Sequence, residues 1–503
     1  MKQYILSHDI GTSGDKAALF TVDGEFVKAV VAPYDTDRPE FGWAEQDSED
    51  WWKAVCVSTR ELTEGIDKSL IAGIACTGTM NGCLCLDRDG KPLMKSIIWQ
   101  DGRAGEECDE LKERMGMHEI KNISGIPLSP NFSVSKMMWV KKHRPDIYEK
   151  TEHCIQPKDY ISYRMTGRFV TDPSDACMYQ CYDVRNGRWS EKILETAGIR
   201  KNILPEVIGS ADVAGYLTKN AAEQTGLLEG IPVVAGAGDG TASSLGLGLF
   251  DKGTEMISIG SSGGASMVIG ELTCELEYGY PIGKHVSDGL YVVGGAIQSA
   301  GASLEWAKKT IAPDIEDYSG IYKLASEAPP GSNGVMFLPY LQGERTPFWN
   351  VNAKGSFLNL SSVNTRADMM RSVMEGVAMH LGYVHRELQK YEKTKLVLVN
   401  GRGTQSELWC GIISDVLGME VRRYPEAGME TSLGAAMLAS YGLGFVKEYR
   451  DFTDKLGECS VIQPDMENHR LYQEMLDYFI GLYRATEPFY NQIKNKFLLR
   501  GEG

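Results

Sequence analysis

Asp239 stands between two glycines, four residues beyond the apolar run Ile231 to Ala235. A carboxylate at the end of a strand, with glycines leaving room for a ligand, can take the proton of an alcohol as its oxygen attacks a terminal phosphoryl group. The same Gly-Asp-Gly string also suits an ordinary turn, so both readings stay open on these residues alone. Asp9 closes an apolar entry strand and leads into Ile10-Gly11-Thr12-Ser13-Gly14. Glycines framing two hydroxyls expose backbone amides that suit phosphate oxygens. A bare carboxylate repels phosphate, so Asp9 fits an indirect role, positioning a hydrated Mg2+ between itself and the anion. A hairpin with an Asx turn is the plainer alternative.

The turn recurs. Ile10 to Gly14 returns as Ile259-Gly260-Ser261-Ser262-Gly263, 249 positions later (259 − 10) and close to half the chain, which points to two related domains. This second turn has no carboxylate but keeps glycine and hydroxyl donors. Two further glycine-rich stretches follow: Ala300-Gly301-Ala302-Ser303 opens a predicted helix, and Asn400-Gly401-Arg402-Gly403-Thr404 follows the apolar strand Leu396 to Val399. Strand, glycine turn and helix form a nucleotide-compatible order. Neither the GxxxxGK[ST] phosphate loop nor the GxGxxG dinucleotide fingerprint occurs.

These residues need elements to hold them. Short apolar strands alternate with helices, an α/β signature. Asp23-Gly24 between two apolar runs predicts a hairpin. A helix is predicted from Ser48 to Thr63, capped by Asp47 or Ser48, and another from Asp465 to Glu487 that could pack on either domain. A chain of 503 residues is too long for one core, so two large domains with a cleft between them are expected, divided as 1–247 and 248–503. The net charge of −16 argues against a nucleic-acid surface, and any nucleotide must be held by local donors and a divalent cation. No run reaches the length of a membrane helix and no signal sequence opens the chain, so a cytoplasmic location is expected, with a homodimer as an allowed assembly. Eleven cysteines without a close CxxC pair read as reduced, mostly buried thiols, and Cys83 with Cys85 lies in an apolar strand-like run rather than in a metal-ligand spacing.

Taken together, the strings resemble the FGGY carbohydrate kinases along almost the whole chain, and among them the pattern of the xylulose kinases. DIGTSGDK begins at Asp9, GWAEQDSEDWW at Gly42, WQDGR at Trp99, SKMMWV at Ser135, PKDYISYRMTG at Pro157 and TDPSDA at Thr171. VVAGAGDG runs through Asp239, SIGSSG starts at Ser258, FLPYLQGERTP at Phe337, RSVMEG at Arg371 and SLGAAMLA at Ser432. The resemblance implies an α/β fold of two ribonuclease-H-like domains closing on sugar and MgATP in an interdomain catalytic cleft. It implies Asp239 as catalytic base and Asp9 as the carboxylate that positions Mg2+. Gly11, Thr12, Ser13, Gly260, Ser261 and Ser262 fall where the family contacts ATP phosphates. Gly301 and the Gly401, Arg402, Gly403, Thr404 turn fall where it receives the nucleoside. Trp99, Asp101 and Arg103 match family positions with structural or ligand roles, and GWAEQD is expected to support the first domain.

The departures lie at the sugar. Xylulose kinases resemble Gln-Met-His-Gly where this chain has Thr79-Met80-Asn81-Gly82, and Gly-Asp-Asn where it has Gly238-Asp239-Gly240. Asn131 stands where many relatives carry glycine or an aromatic residue, and is a candidate compensating sugar contact. Arg402 replaces a glycine of the adenosine loop, and Asn359 replaces a glycine in a manner that a left-handed backbone would permit. The expected substrate is a ketopentose such as xylulose. Ribulose, fuculose, glycerol, erythritol and gluconate are alternatives within the family, and a nucleotide-switched binding protein is the remote one.

Overall fold

The computed structural model describes residues 3–270, 272, 279–425 and 428–497. It forms two compact units. The first comprises Met1–Phe250, Gly270–Val292 and Ala427–Gly457; the second comprises Asp251–Ile269, Val293–Glu426 and Glu458–Gly503. The chain therefore enters each unit more than once.

In the first unit, strands β1 (Tyr4–Ile10), β2 (Gly14–Thr21), β3 (Phe26–Pro33), β4 (Ile71–Gly78), β7 (Val213–Tyr216) and β8 (Pro232–Gly238) form one sheet in the order β7-β8-β4-β1-β2-β3. A separate two-stranded ribbon joins β5 (Leu84–Leu86) to β6 (His153–Ile155). The Asp23-Gly24 turn links β2 to β3 antiparallel, as expected, whereas β1, β4 and β8 run parallel. Successive side chains alternate faces along these strands. Leu6, Ile74 and Val233 therefore meet Trp51, Val55 and Ile161 on one side, while Ile5, Ala75 and Val234 face Ala435, Ala436 and Ala439 on the other. Trp51 and Val55 belong to α1 (Ser48–Leu62), whose Asp47 cap accepts the Glu49 amide at 2.9 Å. Four further helices matter below: α2 (Ser133–His143), α3 (Pro157–Thr166), α4 (Pro173–Cys177) and α5 (Asp239–Gly246).

The second unit repeats the opening motif. Strand β9 (Thr254–Ile259) pairs antiparallel with β10 (Gly263–Ile269) and parallel with β12 (Leu396–Asn400), as β1 does with β2 and β4. Its sheet continues from β10 to β11 (Tyr291–Ile297), and from β12 to β13 (Val421–Arg423) and β14 (Ser460–Ile462). Its helices include α6 (Gly301–Ile311), α7 (Arg366–Leu388), α8 (Glu407–Leu417) and α9 (Met466–Phe497). Helix α9 packs on α7 and α8: Tyr472 donates to Glu375 at 2.7 Å, and His469 bonds the Asp415 carbonyl at 2.9 Å. Asn359 has φ +62°, the left-handed backbone its place in the sequence suggested.

Candidate active site

Three parallel neighbours, β1, β4 and β8, end side by side. Their carboxyl ends deliver Asp9, Thr79 and Asp239, and ligands of open α/β sheets bind outside such ends. Register fixes the alignment: Asp9 lies opposite Thr77, and Gly238 opposite Gly78. The Thr79 amide bonds the Ile10 carbonyl at 2.9 Å, tying the Thr79 to Gly82 loop to the Gly11 to Gly14 turn.

Asp239 begins α5 rather than ending β8. The residue is half-buried, and its carboxylate accepts the Gly240 amide at 2.6 Å. Desolvation raises its pKa to about 6, against which that amide bond works. Asp9 is buried, and its pKa is pushed up to about 7, first by burial and then by the negative charge of Asp239 and Asp15, with Lys16 opposing. A desolvated carboxylate facing the charge of two others is what a divalent cation relieves. The residues at this edge thus fit Mg2+.

The Gly11 to Gly14 turn is held from beneath. Its Gly11 amide bonds the Gly14 carbonyl at 3.1 Å, and Gln46 Nε2 donates to the Thr12 carbonyl at 2.7 Å. The Trp99 indole donates to Thr12 Oγ1 at 3.0 Å, and Ser13 is exposed. Gln46, from the GWAEQD string, therefore acts directly on the phosphate-type turn. Asp101 is enclosed by the Ala44 amide at 2.6 Å and by Arg103, whose guanidinium also lies over the Trp43 ring. Asn131 directs Nδ2 to the carbonyls of Trp99 and Asp101 at 3.1 and 3.3 Å, so its amide hydrogens position the Trp99 segment.

In the Thr79 to Gly82 loop, Asn81 has φ +66° and its Oδ1 is buried with no hydrogen-bond partner among the described residues. Such an atom carries a cost unless a ligand supplies a donor. Met80 packs against Gly238 so closely that a Cβ on that glycine would lie 2.3 Å from its sulfur. Gly240 is exposed beside Asp239.

One support escaped the reading of single motifs. Lys158 is buried with Asp159, Asp172 and Asp175 at 2.6, 3.1 and 3.4 Å. Burial opposes its charge, but the three carboxylates outweigh it and hold the ammonium protonated, while burial pushes Asp175 up. Asp172 accepts from Ser174 Oγ at 2.6 Å, and that hydroxyl accepts the Gly238 amide at 3.2 Å. The PKDYIS and TDPSDA strings supply these groups. Their acid-rich spacing was the available signal, but only the fold shows that they brace the residue before Asp239.

In the second unit the predicted nucleotide residues converge. The Gly301 amide bonds the Gly260 carbonyl at 2.8 Å, and the Ala300 and Ala302 amides bond the Ser261 carbonyl at 3.0 and 2.9 Å. A Cβ on Gly301 would lie 2.5 Å from the Gly260 oxygen, and one on Gly401, at φ +94°, would lie 2.5 Å from the Ile259 oxygen. Ser261, Ser262 and Arg402 are exposed, whereas Gly403 and Thr404 are buried, with Thr404 Oγ1 donating to the Gly401 carbonyl at 2.8 Å.

Comparison with known proteins identifies the lineage. The N-terminal domain of the FGGY family of carbohydrate kinases matches residues 4–246, and its C-terminal domain matches residues 256–443. The chain belongs to this family. It is a two-domain α/β enzyme, a phosphotransferase acting on an alcohol group. It is 30% identical to a xylulose kinase of Bacillus subtilis, covering 98% of this chain and 99% of that one. It is also 30% identical to a gluconokinase of the same organism, covering 98% of each chain. The crystal structure of ligand-bound xylulose kinase from Lactobacillus acidophilus superposes with a TM-score of 0.89 at 26% identity, covering 97% of this chain and 99% of that one. Among the described residues no helix is long and apolar enough to cross a membrane.

Proposed function

We propose that this carbohydrate kinase transfers the γ-phosphoryl group of ATP to a primary hydroxyl of a ketopentose such as xylulose, with Asp239 as the base. The observation that carries the reading is the Asp239 carboxylate, raised to about 6 by desolvation and placed at the carboxyl edge of the sheet beside Asp9. A base with that pKa is ionised at neutral pH yet still basic enough to accept a proton as the hydroxyl attacks.

Asp239 accepts the hydroxyl proton, and Gly240 N–H orients its carboxylate. Asp9 would hold Mg2+ through water, and the ion would supply positive charge to offset the phosphates. Gly11, Thr12 and Ser13 present donors to phosphate from the first unit. In the second, Gly260, Ser261, Ser262, Gly301 and the Gly401 to Thr404 turn receive the nucleotide. Thr79, Met80, Asn81 and Gly240 contact the sugar, and Asn131 acts through the Trp99 segment.

Gluconate is the second reading, because a gluconokinase is as similar as a xylulose kinase and Asn81 replaces the histidine of the xylulose kinase pattern. ADP release with ATP and Mg2+ across xylulose, ribulose, fuculose, glycerol, erythritol and gluconate separates the two. Highest kcat/KM for a ketopentose supports the proposal, and highest kcat/KM for gluconate or a polyol replaces it.

A further inference from the structure

The ribbon of β5 and β6 places three thiols on one face. Cys85 lies directly opposite Cys154 in the antiparallel register, and Cys83, two residues before Cys85, shares its side. The sulfurs of Cys83 and Cys154 are 3.6 Å apart, and all three sulfurs lie within 4.8 Å of one another. All three cysteines are free and buried. Core cysteines commonly pack as small apolar residues. Three sulfurs converging on one point is a narrower arrangement than packing requires.

We propose that Cys83, Cys85 and Cys154 form a site for one soft d10 metal ion, Cu(I) foremost, held as a three-thiolate centre. Thiolates around a trigonal ion with metal–sulfur bonds of about 2.3 Å lie about 4.0 Å apart. The 3.6 Å contact and the 4.8 Å limit on the other separations lie on either side of that spacing, so the sulfurs already stand near what a trigonal ion requires. Soft sulfur ligands select Cu(I) and related ions over Mg2+ or Ca2+. Among the described residues no histidine or carboxylate joins the group. A closed tetrahedral zinc site therefore lacks its fourth ligand, and a three-coordinate monovalent ion is favoured.

Binding replaces thiol protons, which leave to solvent as the sulfurs become thiolates. Lys136 of α2 is buried and held by the Asn81 and Ile98 carbonyls at 2.7 Å each; burial pulls its pKa down to about 7, and negative charge at Cys83 favours its protonated form. Entry requires local opening of the ribbon, whose three thiols are buried. Cys83 follows Asn81-Gly82 directly, so an ion at this place bears on the sugar-side loop without belonging to it.

The test is an anaerobic titration of the reduced, metal-free, full-length protein with Cu(I) against a chromophoric Cu(I) chelator. The wild type is expected to retain one equivalent. Affinity is expected to fall at least about tenfold in Cys85→Ser and in Cys154→Ser, and to stay unchanged in Cys56→Ser and Cys459→Ser, which alter half-buried thiols outside the cluster. X-ray absorption of the loaded wild type, which needs no variant to fold, should show three sulfur ligands at about 2.3 Å. Failure to retain an equivalent, equal binding by wild type and cluster variants, or a shell with fewer than three sulfurs overturns the proposal. Each readout is independent of kinase activity.

Discussion

Asp239 and Asp9 have opposite consequences for catalysis and for stability. If Asp239 takes the proton, Asp239→Ala should lower kcat by about 10²- to 10⁴-fold while circular dichroism stays native. In the wild type, kcat/KM should fall with pH below about 6, the value to which burial raises this carboxyl. A profile flat through that point would remove Asp239 from the role. Asp9, raised to about 7, titrates above its unfolded value. The sign follows: its contribution to stability is present in full below about pH 4, where both states are protonated, and is lost as pH rises through about 7. Asp9→Asn should therefore raise the melting temperature of metal-free protein at pH above about 7, by a stabilisation of about 1 to 4 kcal/mol, with no gain near pH 4. The same variant should lose Mg2+-dependent turnover. An Asp9→Asn variant no more stable than wild type at alkaline pH would show that the buried charge is already compensated. Asn81 is the residue to alter for specificity: histidine is among the side chains that tolerate its left-handed backbone, so Asn81→His should fold. It is expected to raise kcat/KM for D-xylulose relative to the other ketoses, and an unchanged ratio across the panel would refute a sugar contact here.

At the scale of elements, the position of Asp239 depends on a helix that arrives from the other end of the sequence. Helix α5 packs on the helix Glu430–Gly442, where a Cβ on Gly434 would lie 1.9 Å from the Ala242 carbonyl oxygen and one on Gly246 1.9 Å from that of Glu430. Backbone cannot yield as a side-chain tip can, so Gly434→Ala must push the helices apart. A drop of several degrees in Tm together with a fall in kcat, at little cost to ATP affinity, is expected. A native Tm and kcat would show that the contact is not needed. The strand ends, the Asp23-Gly24 hairpin and the repeated glycine turn were legible because local pattern dictates them. Asp239 was singled out from its apolar approach, although it opens a helix rather than closing a strand. The SLGAAMLA string was legible only as resemblance. Its alanines and glycines carry no strong period, and their purpose, a close approach of two helices to one sheet, exists only once strands distant in sequence have paired. The same holds for Lys158, Asp172 and Ser174: Lys158 pairs with Asp172, Asp172 accepts from Ser174, and Ser174 in turn accepts the Gly238 amide, a chain that depends on tertiary contact.

For the whole molecule, the consequence is that the first unit cannot be completed by the first half of the chain. Its sheet has one face covered by α1 and α3, but the other face, with Ile5, Ala18, Phe20, Ala75 and Val234, is closed by Ala435, Ala436 and Ala439. A segment ending before residue 427 leaves that apolar face to water, and such exposure drives association rather than folding. A fragment of residues 1–250 joined to 270–292 by a flexible linker, which leaves out the second unit's strands at 251–269, should therefore unfold without a cooperative transition and associate at micromolar concentration. The same fragment with residues 427–457 joined through a flexible linker should recover a sigmoidal melt and a monomeric sedimentation profile, because the helix Glu430–Gly442 packs within this unit. Restoration by a linked segment in which Ala435, Ala436 and Ala439 are replaced by aspartate would show that any tether suffices. A cooperative, monomeric fragment lacking 427–457 would show that the face does not need its cover. The expected pair of results would mean that the sheet edge carrying Asp9 and Asp239 is stable only when the returning segment covers its other face.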